Sequence, residues 1–374
     1  MKILIMCDSF KGSLTSSEVN RIIKESIQPY FIHHDIYTFA IADGGEGTLE
    51  AYVDATQAQL QSIPVNNPYF EPIGATYAYH DDVALVELAA AAGVNLIKNR
   101  LNPLETSTFG VGQLINHAID AGHRHILLGL GGSATNDAGC GIASALGVRF
   151  YNKNNEVFIP TGKSLKDIAF IDYSQIRKQL LDVKFTVISD VKNPLYGPDG
   201  AAFVYAKQKG ADDAMLEQLD EGLQHFAKMV RQTKQIDVQN ITGAGAAGGS
   251  AAAMAAFFGA EIISGIDFFI NLAGFKSHLS ETELIITGEG RLDRQTLSGK
   301  VVYGISKLGQ AKGIDVLAVV GQIGDKKIVA QLPLAEIIVI HQKSKPFAEI
   351  IKHAESDLRL AMQNWAYNKT VKID

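Results

Sequence analysis

Short runs rich in Ile, Leu and Val alternate along the chain with amphipathic stretches of helical period. The apolar runs at 2–7, 36–42, 75–79, 83–88, 125–130, 184–189, 284–287, 315–320 and 336–340 read as strands. Several are continuous rather than alternating, the pattern of strands covered by helices on both faces. Helical spacing runs through 16–28, 47–55, 110–121, 212–231, 301–312 and 347–364. Ser13 or Thr15 can cap the first of these, and Glu18 completes a capping box from Thr15. The alternation predicts an α/β protein with a mostly parallel sheet. Two N-terminal strands and three C-terminal strands would together make a five-stranded, doubly wound sheet. The middle is then an insertion with its own sheet. The expected division is 1–60 plus 281–374 against 61–280, with the active site in the cleft between the two domains.

Composition narrows the class without naming a reaction. Of 374 residues, 47% are hydrophobic and 20% charged, enough apolar material for sizeable cores. The net charge of -6, with scattered Lys and Arg, argues against nucleic acid or an anionic membrane as partner. Cys7 and Cys140 are the two cysteines, too few for a disulfide scaffold, and a reducing cytoplasm is the expected compartment. The first apolar run is too short for a signal peptide. Residues 243–260 carry no charge, yet they are mostly Gly and Ala. A tightly packed helix is expected there rather than a membrane span.

Chemistry gathers in loops. The run ILLGLGGSATNDAGCG at 126–141 places an apolar strand, a glycine turn and a polar cluster (Ser133, Thr135, Asn136, Asp137) in succession. Glycines allow close backbone approach, and bare N–H groups at a helix start attract anions. Four other strand ends lead into loops of similar character: CDSFKGS at 7–13, ADGGEGT at 42–48, SDVKNPLYG at 189–197 and TGEGRLD at 287–293. GAGAAGG at 243–249 adds a sixth glycine-rich segment. The carboxyl ends of parallel strands share one edge, so these loops are expected on one rim. They offer Asp8, Asp43, Glu46, Asp137, Asp190, Glu289 and Asp293, with Lys11, Lys192, Arg291 and Lys300. Phosphoryl transfer needs this mixture: donors and cations for phosphates, carboxylates for Mg²⁺ and for the proton of the attacking hydroxyl. Glu46 and Asp137 also suit plain helix capping. Asp190 and Asp293, at strand ends inside glycine-bearing loops, favour function.

Other motifs carry less. TGKS at 161–164 ends like a phosphate-binding loop, but Val157 stands where its first glycine belongs. GLGGSA and GAGAAG satisfy a dinucleotide pattern without the strand and acidic residue that should accompany it. His117, His123 and His125 lack metal-ligand spacing, and no nucleophile elbow occurs. Two alternatives stay open on the residues alone. One is an NAD(P)-dependent hydroxy-acid dehydrogenase, the other a non-catalytic organic-acid sensor.

Taken in order, DSFKGSL at 8, ADGGEGT at 42, TSTFGVGQLI at 106, GLGGSATNDAGCG at 129, SDVKNPLYGPDGAA at 189, GAGAAGG at 243 and TGEGRLDRQTLSGK at 287 resemble the bacterial glycerate kinase family over nearly the whole chain. Cys7 stands where proline is common in that family, and Cys140 replaces a small residue. The resemblance implies a flavodoxin-like (Rossmann-like) domain built from both chain ends, with an inserted α/β domain. It implies ATP and Mg²⁺ as cofactors and D-glycerate as substrate, usually phosphorylated to 2-phosphoglycerate, in glyoxylate and sugar-acid catabolism. A homodimer is compatible with it. Chemistry then distributes the roles. Arg291 suits a bidentate grip on the glycerate carboxylate, with Ser9, Lys11 and Lys300 as further substrate contacts. Lys11 or Lys300 faces the transferring phosphoryl group, so Asp190, Lys11 and Arg291 form the catalytic set, with Asp190 as base. Gly131, Gly132, Ser133, Thr135, Asn136, Gly245 and Gly248 are the expected nucleotide-phosphate contacts. Asp293 and Asp43 are the expected Mg²⁺ ligands.

Overall fold

The apolar N-terminal run folds as strand β1 (Lys2–Cys7), buried from Ile3 onward. The computed structural model describes residues 2–176, 180–298, 300–341 and 347–371. Gly299, within the family-like TGEGRLDRQTLSGK segment, lies outside the described residues. The further strands in chain order are β2 (Asp35–Thr38), β3 (Gln59–Asn66), β4 (Pro72–His80), β5 (Val83–Glu87), β6 (His125–Gly129), β7 (Arg149–Tyr151) and β8 (Val157–Phe158). They continue with β9 (Phe170–Asp172), β10 (Lys184–Ile188), β11 (Glu261–Ile263), β12 (Thr282–Leu292), β13 (Asp315–Ile323) and β14 (Glu336–Val339).

The chain divides into two compact units. Unit 1 comprises Met1–Asp43, Glu50–Gln57 and Gly265–Asp374, and unit 2 comprises Gly44–Leu49 and Ala58–Ser264. Compared with the sequence-based division, residues 265–280 fall in unit 1, and Gly44–Leu49 and residues 58–60 fall in unit 2. In unit 1 a five-stranded parallel sheet runs β14-β13-β12-β1-β2. Alternate residues of each strand point to opposite faces, and both faces are apolar. On one face Ile3, Ile5, Leu317 and Val319 meet Val19 and Ile23 of helix Ser16–Ile27 and Leu358 and Met362 of helix Phe347–Val371. On the other, Ala318 and Val320 meet Val302 of helix Val301–Lys312. Each buried Ile, Leu, Val or Met among these contributes roughly 1.5–3 kcal/mol. Thr15 caps helix Ser16–Ile27 through the expected capping box: its hydroxyl accepts from the Glu18 amide, and Glu18 accepts from the Thr15 amide at 2.8 Å.

One strand boundary is corrected. Instead of ending at residue 287, β12 continues to Leu292, because β13 runs alongside it as far as Ile323. Glu289 and Arg291 therefore stand on a strand rather than in a loop. Gly288 permits this, since a Cβ there would lie 2.3 Å from the Val319 carbonyl oxygen.

Unit 2 contains a six-stranded mixed sheet, β11-β10-β6-β5-β4-β3, parallel through β5 and antiparallel beyond it. β3 was not anticipated. It includes Pro64 and lies at the sheet edge, where the missing N–H is tolerated. A small antiparallel sheet, β8-β7-β9, accompanies it. The uncharged Gly/Ala stretch forms helix Ala246–Phe258, whose alanines pack into two apolar clusters on different sides. Among the described residues, no helix is long and apolar enough to cross a membrane.

Candidate active site

The expected rim resolves into two groups of loops, one in each unit. In unit 1, β1 ends one residue before Asp8, whose amide donates to the Gly288 carbonyl at 2.9 Å. The pairing of Cys7 with Gly288 brings Asp8 level with Glu289 on the adjacent strand. Both carboxyls are almost fully buried, at 5% and 3% exposure. Burial is the main reason that Asp8 is pushed up to about 7. The Asp43 charge adds to it, against the Ser9 amide (2.7 Å) and Lys11, which favour the ionised form. Burial likewise raises Glu289 to about 7, opposed by the Thr296 hydroxyl (2.6 Å) and Lys300, and reinforced by Asp293 and Asp43. Thr296 also accepts from the Asp293 amide at 3.2 Å. Asp8, Asp43, Glu289, Asp293, Lys11 and Lys300 thus form one electrostatically linked cluster. The Ser9 hydroxyl beside it is buried without a hydrogen-bond partner in the protein. Arg291 lies at the margin: its side chain is 66% exposed and pairs with Asp293 at 3.7 Å.

Perturbed carboxyls concentrate where proteins do chemistry. A carboxyl that titrates near neutral pH is suited to take a proton from a hydroxyl. Sequence reading placed Asp8 and Glu289 on the rim but gave neither a role. The signal that distinguishes them is burial, which a list of loop residues does not contain.

In unit 2 the glycine loops meet backbone to backbone. The Gly131 amide donates to the Gly44 carbonyl at 2.9 Å. A Cβ on Gly131 would lie 2.1 Å from the Gly45 Cα, and one on Gly44, at φ +86°, would lie 2.3 Å from the Ile188 carbonyl oxygen. Two of the predicted loops and the end of β10 therefore converge, and only glycine fits at Gly44 and Gly131. The loop after β6 is also pinned by Val94 N–H to Gly132 O (2.9 Å) and Ala134 N–H to Ala92 O (2.8 Å). Gly132 is exposed; from Ser133 onward the chain turns inward and is buried. Asp137 accepts from the Thr108 amide and hydroxyl, both at 2.8 Å, and from the Gly139 and Gly141 amides. It is the structural capping acid. The Thr135 hydroxyl and both amide atoms of Asn136 are buried without hydrogen-bond partners in the protein. Buried polar atoms of this kind are uncommon and leave hydrogen-bonding capacity for a bound group or a water.

Gly245 and Gly248 do different work from an open cradle. The Cβ positions of the two would lie 2.3 Å from Pro194 O and 2.1 Å from Thr135 O. Their missing side chains let protein backbone approach protein backbone. Asp190, half-buried, stands two residues beyond β10, in the loop whose Pro194 carbonyl packs on Gly245. Lys209 joins the loop after β6 from outside the expected set. Its ammonium is 2% exposed and donates to the Ser133 hydroxyl (2.9 Å) and the Thr135 carbonyl (2.6 Å). No local motif marks it, since a lysine in a polar stretch ordinarily faces water. His117, His123 and His125 contact the Tyr77 hydroxyl, the Asp81 carbonyl and the Thr186 hydroxyl, and His123 is buried rather than on the surface.

Comparison with known proteins points one way. The model of the glycerate kinase family matches residues 3–368. A glycerate kinase of Bacillus cereus is 40% identical over 370 residues, covering 98% of this chain and 97% of the relative. The glycerate 2-kinase of Escherichia coli is 38% identical over 328 residues, covering 87% and 86%. A crystal structure from Salmonella typhimurium LT2, provisionally assigned as glycerate kinase 2, superposes with a TM-score of 0.86 at 35% identity and covers 100% of this chain and 99% of its own. The chain belongs to the glycerate kinase family, whose members are kinases acting on an alcohol group of glycerate.

Proposed function

We propose that this protein transfers the γ-phosphoryl group of ATP to the 2-hydroxyl of D-glycerate, forming 2-phosphoglycerate in the cytoplasm with Mg²⁺ as required cation. The observation that carries this reading is the pair of buried carboxyls, Asp8 and Glu289, electrostatically linked to Lys11 and Lys300, in a chain of this family. The name of the Escherichia coli relative, a glycerate 2-kinase, supports phosphorylation at O2. The sheet order of unit 1, counted within itself as 2-1-3-4-5, supports the flavodoxin-like reading of its fold.

Each unit contributes a different part. In unit 1, Arg291 grips the glycerate carboxylate, Ser9 donates to the substrate, and Lys11 and Lys300 neutralise the transferring group. In unit 2, the Gly131 and Gly132 backbone and the Ser133 hydroxyl receive the nucleotide phosphates. Thr135 and Asn136 complete that wall, and Gly245 and Gly248 hold it in shape by packing. The unit 1 donors suit Mg²⁺, because they are hard carboxylate oxygens. Among the described residues no three His, Cys, Asp or Glu side chains form a ready metal cage, and Mg²⁺ ordinarily takes only one or two carboxylates plus substrate phosphates. Asp43 and Asp293 would hold it, and the ion would supply charge neutralisation on the phosphates.

Asp190 is the proposed base for the glycerate hydroxyl. A second reading gives that role to Asp8, and the observation favouring it is a buried carboxyl that titrates near neutral pH. Asp190→Asn and Asp8→Asn decide between them, since only the true base loses turnover while ATP binding stays intact. The function itself is tested by incubating the protein with ATP, Mg²⁺ and D-glycerate and following ADP release and ³¹P NMR of the product. A phosphoester coupled to the single proton on C2 is expected. Binding of glycerate without ADP release would indicate a sensor, and NAD(P)H formation a dehydrogenase.

A further inference from the structure

Among the described residues Lys209 is the only buried lysine. It closes the short helical turn Lys207–Lys209, after which Gly210 reverses the chain at φ +97°. Burial lowers its ammonium to about 7, and the buried Asp137 carboxyl opposes that shift. Placing such a group inside a protein is expensive unless its hydrogen bonds are used. Here they are spent on the glycine loop. Nζ donates to the Thr135 carbonyl at 2.6 Å and to the Ser133 hydroxyl at 2.9 Å. In its ammonium form Nζ can only donate, so Ser133 Oγ then accepts from it. In any further bond the Ser133 proton is then free to act as donor, the polarity that a phosphate oxygen requires. The same two bonds tie Ser133 to Thr135 across the bend at which the loop turns inward.

We propose that Lys209 is a positioning residue for nucleotide binding: it holds the 131–135 loop in the shape that receives phosphates and turns the Ser133 hydroxyl towards them as a donor. The inference rests on the reading that this loop binds ATP. The test is a cycle of Lys209→Gln, Ser133→Ala and the double variant, with KM for ATP, KM for glycerate, kcat and a thermal melt measured for each. A hydrogen bond to a charged group corresponds to about tenfold or more in affinity. Each single variant should raise KM for ATP about tenfold while KM for glycerate and kcat stay within about threefold. The double variant should be no more than about twofold worse than the weaker single one, because the lysine acts through the serine. Effects that multiply, a Lys209→Gln enzyme with wild-type KM for ATP, a loss of kcat with both KM values unchanged, or a Lys209→Gln protein that does not fold would each overturn the inference. If instead Ser133→Ala leaves KM for ATP unchanged or moves KM for glycerate, the nucleotide reading of the loop fails first, and the inference falls with it.

Discussion

The two units solve opposite problems with their polar residues. In unit 1, carboxyls are buried beside one another, and Asp8 and Glu289 resist ionisation up to about pH 7. That arrangement opposes folding at neutral pH and is expected where chemistry needs it. In unit 2 the polar loop is braced, although the Thr135 hydroxyl and the Asn136 amide stay without partners in the protein. Asp137 accepts four hydrogen bonds, glycine backbones interlock, and Lys209 clamps Ser133 and Thr135. A region that stores electrostatic strain is suited to the reacting group, and a region built for rigidity is suited to holding a phosphate chain. Conserving charge and conserving shape are therefore different demands, and substitutions separate them.

The largest separation is expected in turnover. Glu289→Gln keeps the Thr296 hydrogen bond but removes a carboxylate from the unit 1 cluster, so kcat should fall about 10²–10⁴-fold with KM for ATP nearly unchanged. A comparable rise in KM for ATP would erase the contrast between the units. Next comes Gly131→Ala, which forces a methyl against Gly45. It should destabilise unit 2 by about 1–3 kcal/mol in urea unfolding, and a neutral result would show that the loops yield to each other. A smaller effect, of opposite sign, is expected in the stability of Glu289→Gln. Because the Glu289 pKa rises from 4.5 to about 7 on folding, the folded state holds the extra proton in that interval. Wild-type stability should therefore decline as pH rises from about 4.5 to 7 and level off above it. The variant lacks this decline, so its melting temperature should overtake the wild type progressively across the window; parallel melting curves would remove Glu289 from the account. The smallest stability change belongs to Arg291→Ala. Its exposed pair with Asp293 is worth roughly 0–1 kcal/mol, yet KM for glycerate should rise. Unchanged glycerate kinetics would remove Arg291 from the substrate grip.

Much of this architecture was readable because continuous apolar runs mark buried parallel strands: β1 and helix Val301–Lys312 fall at their predicted boundaries. Elements that depend on context were not. β3 hides behind Pro64 and exposed polar positions, and the three-residue strands β7, β9 and β11 carry too little pattern to register. The same division holds at the site. Motifs marked the loops whose backbones touch, since glycines that touch backbone are written into the sequence as glycines. Gly245 and Gly248 show the limit of that reading, because glycine for packing and glycine for a ligand look alike. The near-neutral titration of Glu289 and the clamp by Lys209 arise from burial and from partners distant in sequence, such as Ser133 lying 76 positions away from Lys209. Neither property resides in the local residue string.

The contrast between a reacting cluster and a binding loop is tested most directly by calorimetric titration of a non-hydrolysable ATP analogue, with Mg²⁺, into Glu289→Gln and Ser133→Ala beside the wild type. The account predicts an affinity within about twofold of wild type for Glu289→Gln, and about tenfold weaker binding for Ser133→Ala. Tenfold weaker binding by Glu289→Gln together with unaltered binding by Ser133→Ala would contradict it.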